Sequence, residues 1–402
     1  MHILLIHQAF ASLNEPGGTR HHEIARKLVA QGHQFTVIRG QINYLTGKRL
    51  PSSDEQDDKT DEVGGVRIIK SFTYHGYHKS FPQRLLSYLS FMISSLFMGF
   101  SVRKVDVVWG TSPPLFQAFT AWLLARTKGA GFLFEVRDLW PSFAVALGIL
   151  RNPILIRLSE IMERFLYRRA DNIVVNSPGF RQHVLDHGGE SVETVPNAVD
   201  AAMFSQETDV AMYRRAHQLE GKFVITYAGA HGVSNDLDVL IDSAHALREY
   251  SNICFVLVGD GKEKANLIRK AKSLELSNVR FQPPRAKEAM FEVLAAADVC
   301  VAILKPIEEF KTTYPNKVFD YMAAGKAILL AIDGVIREVV EEARCGIFVG
   351  PGEMVEGILR LEQDRSSVIA MGKAGKSYVQ DKFDRAAQVE AMLTALNKIV
   401  GQ

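Results

Sequence analysis

The chain has 402 residues, of which 47% are hydrophobic and 23% are charged, and its formal net charge at pH 7 is +2. This composition provides enough apolar residues for two or three folded domains and excludes a disordered chain. The small net charge argues against a general nucleic-acid-binding protein. Cys254, Cys300 and Cys345 lie far apart without a Cys-x-x-Cys motif. The cysteine pattern therefore predicts neither a disulfide framework nor a zinc site, and it fits a reducing cytoplasm.

The first half of the chain begins with alternating strands and helices. Ile3–Ile6 predicts a buried strand, because its apolar run is too short for a signal peptide. A loop with Gly17 and Gly18 follows, then a helix, then a strand over Phe35–Ile38. This order is typical of a doubly wound nucleotide-binding fold. The glycine pair alone fits either a tight turn or a phosphate site, and Arg20 directly after it favours the phosphate.

Two segments of the first half depart from this pattern. Residues 51–65 are polar and acidic and predict a loop. Leu85–Val102 has 18 residues without a formal charge, which is the lower limit for a membrane span. We consider a helix in the membrane interface and a buried helix of the first domain, and both stay open. A true span is disfavoured, because the α/β pattern continues on both sides.

A charged pair follows the strand predicted over Gly131–Val136. Ligands of doubly wound sheets bind beyond the carboxyl ends of the strands, where Arg137 and Asp138 lie. Asp138 is suited to orient a sugar hydroxyl or to act as a general base. Arg137 is suited to stabilise a phosphate. These two residues are the predicted catalytic pair.

A second candidate site lies in Phe310–Gly325. The sequence predicts a helix that begins just after Pro315, with Asn316 as its capping residue. Lys317 in the first turn opposes the helix dipole, so a bound phosphate explains it better than the helix does. Asp320 lies on the same face three residues later. The segment predicts a site for a sugar diphosphate, and a surface helix with solvated charges is the alternative.

The turn-rich segment 196–200 predicts a linker between two domains. We expect a first Rossmann-like domain over residues 1–200 and a second over residues 201–385. The last helix, within 386–402, has no strand after it and is free to pack on the first domain. The predicted fold class is therefore α/β, with two doubly wound domains that face a cleft.

Several motifs occur together in a specific order. They are Pro16–Arg20, EVRDLWP at 135–141, VPNAVD at 195–200, Tyr227–Gly232, VGDG at 258–261 and YPNKVFDYMAAG at 314–325. With these motifs the chain resembles the retaining glycosyltransferases of family 4, which have the GT-B fold. It looks most like the branch that acts on lipid-linked sugars in bacterial O-antigen and capsule synthesis, including N-acetylfucosamine-type transferases.

The resemblance implies a role for each motif. The second domain is expected to bind the nucleotide sugar and the first domain the acceptor. Gly17 and Gly18 are expected to bring backbone N–H groups to the donor diphosphate, and Lys317 to contact the diphosphate or the nearby sugar. Asp320 matches the second acidic residue of the family's E-x7-E motif, which contacts the ribose. Arg20 is assigned to the acceptor.

The sequence also departs from the family pattern. Thr312 stands where the first acid of E-x7-E is usual, and Glu308 and Glu309 upstream are its possible substitutes. Ala230 and Asn235 stand where the family has a basic pair for the phosphates. The candidates that supply the missing donor-binding charge are His231, Lys262, Lys311 and Lys317.

The resemblance implies transfer from a nucleotide sugar, with UDP favoured, to a lipid-diphosphate-linked glycan, and retention at the anomeric carbon. It implies no cofactor, no metal and no nucleic-acid partner. The expected location is the cytoplasm, with peripheral contact to the cytoplasmic face of the inner membrane. Two alternatives stay open: a nucleotide-sugar epimerase of the same fold, and a non-catalytic subunit of a membrane assembly.

Overall fold

The computed structural model describes residues 1–44, 46, 47, 49, 60–75 and 81–401. Its contacts divide the chain into two α/β units. The first unit contains Met1–Leu13, Gly17–Pro196 and the chain from Arg385 onward, and the second contains Asn14–Pro16 and Asn197–Asp384.

The described residues of the first unit form an eight-stranded sheet. Its strands are β1 His2–Ile6, β2 Gln34–Gly40, β3 Thr60–Val63, β4 Val66–Ser71, β5 Val107–Ser112, β6 Gly131–Val136, β7 Asn172–Val175 and β8 Val192–Thr194. Their order is β3-β4-β2-β1-β5-β6-β7-β8, and all neighbours are parallel except β3 and β4. Uninterrupted apolar strands such as Ile3–Ile6 are fully buried, as expected for a sheet with helices on both faces.

The hairpin of β3 and β4 corrects the prediction of a loop over residues 51–65. Residues 60–63 form a strand, and Gly64 and Gly65 turn the chain with φ angles of +61° and +79°. Two left-handed residues match the twist of a two-residue hairpin, and glycine adopts this conformation without a Cβ clash. The part of the predicted loop over 51–59 lies outside the described residues.

The helices of the first unit up to the linker cover both faces of the sheet. They are α1 Arg20–Ala30, α2 Phe81–Ser101, α3 Leu115–Lys128, α4 Ser142–Ala146, α5 Pro153–Arg169 and α6 Arg181–Asp186. Residues 87, 91, 95 and 99 of α2 are buried at four-residue spacing. A Cβ at Gly99 would lie 2.4 Å from Cδ1 of Leu124, so this glycine allows α2 to contact α3.

Helix α2 has a second, exposed apolar face. Its exposed large side chains are Leu86, Ile93, Phe97 and Phe100. Among the described residues, Pro82–Ser101 is a helix long and apolar enough to cross a membrane, and 22% of that stretch is buried. One face of the helix therefore contributes to the core, and the other is available for a further contact.

The described residues of the second unit form a six-stranded sheet. Its strands are β9 Phe223–Ala228, β10 Ile253–Val258, β11 Val279–Gln282, β12 Val299–Ile303, β13 Ala327–Ala331 and β14 Gly346–Phe348. They lie in the order β11-β10-β9-β12-β13-β14 and are all parallel. Its helices are α7 Val210–Ala216, α8 Asp238–Ala246, α9 Lys264–Ser273, α10 Met290–Ala295, α11 Asn316–Ala323, α12 Val335–Glu342, α13 Met354–Gln363 and α14 Arg365–Lys382.

The last helix, α15 Arg385–Val400, belongs to the first unit. It buries Met392, Leu396 and Ile399 in the same apolar core as α1, β1 and β5. The division after Pro196 falls four residues before the predicted boundary at 200. The reason is that Val199 forms a parallel bridge with Asp384, which joins residues 197–200 to the second unit.

Candidate active site

The first unit contains a cavity of about 320 Å³ at the carboxyl ends of its parallel strands. Residues directly after β4, β2, β1, β5 and β6, which are sheet neighbours, line it together with α2. The lining residues are Gln8, Ala9, Gly18, Ile42, Tyr44, Thr73, Ser87, Tyr88, Pro113, Pro114, Arg137 and Asp138. The cavity therefore lies beyond the carboxyl ends of parallel strands, where ligands of doubly wound sheets bind.

Arg137 in this cavity is held by two groups of the sheet. Its Nη1 lies 2.9 Å from Nε2 of His7, and its Nε donates to the carbonyl oxygen of Ser112 at 3.4 Å. Arginine is always a donor, so Nε2 of His7 is the acceptor and the imidazole is neutral. Nδ1 of His7 then donates to Oγ1 of Thr111 at 3.0 Å. Burial and the charge of Arg137 lower the pKa of His7 well below its usual value, which keeps the ring neutral.

Asp138 lies next to Arg137 and is partly buried. Burial raises the pKa of Asp138 to about 6, and the charge of Arg137 opposes this rise. A carboxyl group that titrates near neutral pH is suited to accept a proton or a hydrogen bond from a bound hydroxyl. The structure thus brings the two predicted catalytic residues into one cavity. Sequence reasoning missed His7 and Thr111, because His7 follows β1 and Thr111 lies on β5, both far from Arg137 in sequence.

The glycine pair predicted to contact a phosphate lies at the start of α1. Gly18 lines the cavity, and a Cβ placed on it would meet nothing within 4 Å. Gly17 has φ +148°, and its added Cβ would lie 2.9 Å from Cβ of Ala11. Gly17 is therefore required by local packing, whereas Gly18 faces open space. Their contact with a donor diphosphate stays a prediction.

Arg20, which the resemblance assigns to the acceptor, lies in a buried network of hydrogen bonds in the first unit. Its Nε donates to Glu135 at 2.9 Å, and Nη1 and Nη2 each donate at 2.7 Å to the carbonyl oxygens of Pro196 and Val195. Its side chain is 6% exposed. These bonds give the guanidinium a structural role in the first unit, and its contact with an acceptor stays a prediction.

Glu135, the partner of Arg20, is fully buried. His21 lies 2.5 Å from its carboxylate, and the indole N–H of Trp109 donates to it at 3.2 Å. His21 and Arg20 hold the pKa of Glu135 far below its usual range despite burial. The EVRD segment thus places one carboxylate inside the fold and the next charged pair in the cavity.

In the second unit, Lys317 lies in the first turn of α11 and points into the fold. Its Nζ donates to the hydroxyl of Tyr227 at 2.7 Å and to Oδ1 of Asn235 at 3.3 Å. It also lies 4.1 Å from the centre of the Tyr227 ring. A Cβ on Gly229 would lie 3.2 Å from this ammonium, so the turn after β9 passes directly over it. Burial lowers the pKa of Lys317 to about 7.

The start of α11, just before Lys317, differs from the prediction in its capping residue. Pro315 occupies the capping position, and Asn316 is the first helical residue. Oδ1 of Asn316 is buried without a hydrogen-bond partner among the described residues. Asn316 therefore does not cap the helix, and the amide groups of its first turn keep their capacity for an anion.

His231, also a predicted donor contact, lies in the turn after β9. Its backbone N–H donates to the carbonyl of Asp260, and its carbonyl accepts from the N–H of Glu263. Its ring is buried, and neither ring nitrogen forms a hydrogen bond of normal geometry with a described residue. Burial, together with the charge of Lys264, lowers the pKa of His231 to about 4, so the ring is neutral. Both ring nitrogens are buried, and a contact between His231 and the donor stays a prediction.

The remaining predicted donor residues have different environments. Lys262 is exposed, whereas Lys264 donates to the carbonyl oxygens of Gly259 at 2.6 Å and Gln282 at 3.0 Å. Lys311 is 43% exposed and forms an ion pair with Glu308 at 2.7 Å. Glu308 is thus already engaged by a lysine of the same short helix, which does not favour it as the missing motif acid.

Asp320, predicted to contact a ribose, forms an ion pair with Lys287. The Lys287 side chain is 6% exposed, and its ammonium also lies 5.3 Å from the ring centre of Phe204. A ribose hydroxyl would therefore share the Asp320 carboxylate with Lys287. Sequence reasoning missed Lys287, because 33 residues separate it from Asp320 and no local motif marks it.

Two family models match this chain. The model described as "Glycosyl transferase 4-like domain" matches residues 17–198, and the one described as "Glycosyl transferases group 1" matches residues 222–364. Among related sequences, WcaI of Escherichia coli (strain K12), which is named as a glycosyl transferase of colanic acid biosynthesis, is 27% identical over 313 residues. That alignment covers 75% of this chain and 76% of WcaI.

Solved structures share the fold of the whole chain. Sucrose-phosphate synthase from Thermosynechococcus elongatus has a TM-score of 0.77 and 15% identity, with 100% of both chains covered. HepE of Anabaena, solved in complex with UDP-glucose, has a TM-score of 0.70 and 16% identity, with 99% of both chains covered. At these identities the likeness shows the fold, and the predicted GT-B class is confirmed.

Proposed function

The chain belongs to the family 4 glycosyltransferases, and from this premise we propose that it transfers a sugar from a UDP-sugar to a lipid-diphosphate-linked glycan. In this reaction the bond between the anomeric carbon and UDP breaks, and a bond from that carbon to an acceptor hydroxyl oxygen forms. The configuration at the anomeric carbon is retained, and the product is an intermediate of a bacterial surface polysaccharide.

The observation that carries this proposal is the placement of Arg137 and Asp138 in the cavity at the strand ends. Asp138 orients the acceptor hydroxyl or takes its proton, and both roles require the ionised carboxylate. Arg137, held by the neutral imidazole of His7, directs its remaining N–H groups to a phosphate oxygen. Fixed donors of this kind stabilise charge as the leaving group departs.

The donor side of the proposal rests on Lys317 and His231. A buried ammonium with a pKa near 7 gains a full charge when a diphosphate binds beside it. The neutral ring of His231 contributes one N–H donor, and the open first turn of α11 contributes backbone N–H groups. These groups neutralise the diphosphate without a metal ion in the proposed reaction. The fold shared with HepE, which was solved with UDP-glucose, supports UDP as the nucleotide.

The acceptor side rests on the name of WcaI and on the surface of the first unit. WcaI is named for colanic acid biosynthesis, which supports a polysaccharide intermediate as the acceptor. The apolar face of α2 exposes Ile93 by 53% and Phe97 by 67%. We propose that this face lies in the interface of the inner membrane, where a lipid-linked acceptor is found, so that the enzyme is cytoplasmic and peripheral.

The experiment is a UDP-release assay with a panel of UDP-sugars and a lipid-diphosphate-linked glycan. Wild-type protein should release UDP only when the matching sugar and the acceptor are both present. Asp138→Asn should abolish release, whereas the matched control Asp186→Asn, an exposed carboxylate of α6, should leave it unchanged. Absence of UDP release with every nucleotide sugar would refute the proposal. Isomerised nucleotide sugar without acceptor would instead identify an epimerase.

A further inference from the structure

Helix α5, helix α6 and the residue directly after α6 bring two histidines and one glutamate of the first unit together. His183 and His187 are one helical turn apart, and their rings stack with centroids 4.0 Å apart and 17° between the planes. Glu163 lies below them on α5, and its Oε1 lies 2.9 Å from Nε2 of His183. One ligand atom from each of the three residues lies within 4.8 Å of the others. None of the three residues lines the cavity of Arg137 and Asp138.

The electrostatics of this group leave a charge to be balanced. Glu163 is 1% exposed, and its carboxylate accepts hydrogen bonds from the hydroxyl of Tyr167 at 3.0 Å and from His183. A buried carboxylate requires a compensating positive charge. A cation held between the three side chains would satisfy the carboxylate and need only neutral imidazoles.

We propose that Glu163, His183 and His187 bind one divalent transition-metal ion, with Zn²⁺ as the best match. Two imidazole nitrogens and one carboxylate oxygen suit zinc and its neighbours rather than Mg²⁺ or Ca²⁺, which prefer oxygen ligands. Nδ1 of His187 is hydrogen-bonded to the carbonyl of His183 at 2.8 Å, so Nε2 is its free ligand atom. The hydroxyl of Tyr167 donates to the same oxygen, Oε1 of Glu163, and so helps to orient the carboxylate.

Binding of the ion requires the two stacked rings to tilt apart, because the lone pairs of the ring nitrogens lie in the ring planes and nearly parallel planes do not converge on one ion. Zinc–nitrogen and zinc–oxygen bonds of about 2.1 Å set neighbouring tetrahedral ligands about 3.4 Å apart. Nε2 of His183 and Glu163 therefore separate slightly from 2.9 Å, and more distant pairs approach each other. The ion takes the place of the proton on Nε2 of His183, which is released to solvent. Both histidines are partly exposed, so the fourth position is open to water.

The consequence is a structural metal site that cross-links two helices. A metal held by α5 and α6 joins two helices that belong to different parts of the chain, and it stabilises the first unit without taking part in transfer. The metal-site proposal is therefore tested independently of the proposed glycosyltransferase reaction.

The test uses the full-length chain without an affinity tag, stripped of metal with a chelator. Titration with Zn²⁺ should show one bound equivalent, titration with Co²⁺ should give the visible absorption of a tetrahedral site, and Zn²⁺ should raise the melting temperature. Mg²⁺ should neither bind at this site nor raise the melting temperature. His187→Gln should weaken zinc binding by about 100-fold or more, the upper end of what loss of a supporting residue does. His33→Gln, a partly exposed histidine of the same unit, is the matched control and should bind as wild type.

A second variant separates metal binding from folding. Glu163→Gln keeps a side chain that hydrogen-bonds to Tyr167 and His183, and it should remain folded while zinc no longer raises its melting temperature. The proposal is overturned when wild-type protein binds zinc no more tightly than His187→Gln, or when Zn²⁺ raises the melting temperature of Glu163→Gln as much as that of wild type.

Discussion

Nη1 of Arg137 donates to Nε2 of His7 across 2.9 Å, and this contact fixes the guanidinium at the edge of the cavity. His7 is 1% exposed and belongs to the loop after β1, whereas Arg137 follows β6. The imidazole acts as a neutral acceptor that orients a charged donor. His7 is thus a positioning residue in the proposed reaction, because it acts through Arg137.

His7→Phe should lower kcat by about 100-fold with little change in the KM for the donor, because a displaced guanidinium misaligns the reacting groups. His7→Gln, whose amide oxygen still accepts from Arg137, should recover most of the activity. Both variants are compared with wild type by initial rates and by thermal melting. Equal loss in the two variants, or equal loss of thermal stability, would show that the imidazole serves the core and not Arg137.

Asp138 should make transfer depend on pH. Its pKa of about 6 predicts that kcat rises as pH increases through 6 and then levels, because the ionised carboxylate is the active form. A pH–rate profile of wild-type protein checks this. A flat profile between pH 5 and 8 would contradict the proposed role, provided that binding of the donor is saturated throughout.

The ionisation of Asp138 that raises kcat with pH should lower the free energy of unfolding over the same pH range. A folded pKa raised above the unfolded value means that the folded state binds more protons, so this group's contribution falls as pH rises from about 4 to about 6. A rise of about two pKa units corresponds to about 3 kcal/mol at most. Asp138→Asn should therefore be more stable than wild type at pH 7, and the difference should vanish near pH 4. Chemical unfolding at the two pH values measures it, and an equal difference at both would refute it.

Lys317 should take up a proton when UDP binds. Its lowered pKa of about 7 leaves a large neutral fraction at pH 7.5, and a diphosphate nearby favours the charged form. Calorimetry in buffers of different ionisation enthalpy should therefore show net proton uptake. Lys317→Met should abolish the uptake and weaken UDP binding by about 10- to 100-fold, the range for a charge-assisted hydrogen bond. Lys373→Met, on the exposed face of α14, is the control and should leave both unchanged.

Much of the fold follows from local sequence. The mostly apolar stretch before the charged pair predicts the strand Gly131–Val136 with the bounds that the structure has. Strand β3 was missed, because Thr60–Val63 is polar and pairs only at the edge of its sheet. Periodicity detects burial, and an edge strand with two carboxylates has little of it.

The candidate site follows from sequence only in part. Arg137 and Asp138 were predicted because they directly follow a strand, and the structure puts both in the cavity. His7 and Lys287 were missed, because their partners lie 130 and 33 residues away and no motif links them. The contacts of Arg20 could not be predicted from its neighbours in sequence, because its neighbours in space are a carboxylate and two carbonyl groups far along the chain.

The structural role of Arg20 is itself testable. Arg20→Ala leaves the fully buried Glu135 with less positive charge, and removal of one partner of a buried pair costs about 3–5 kcal/mol of stability. Denaturant unfolding should show this loss, and the KM for the acceptor should be unchanged in any folded fraction. Unchanged stability together with a raised KM for the acceptor would favour the predicted acceptor role of Arg20.

Membrane contact should depend on the exposed face of α2. Ile93→Ser together with Phe97→Ser removes two large side chains that are 53% and 67% exposed, and should reduce flotation with anionic liposomes by about tenfold or more. The matched control is Ile369→Ser together with Met212→Ser, which are 61% and 65% exposed in the second unit, and it should float as wild type. Phe91 is unsuitable for this test, because it is 1% exposed and its loss would disturb the packing of α2 on the core. Equal flotation of the α2 variant and its control would exclude this face as the membrane contact.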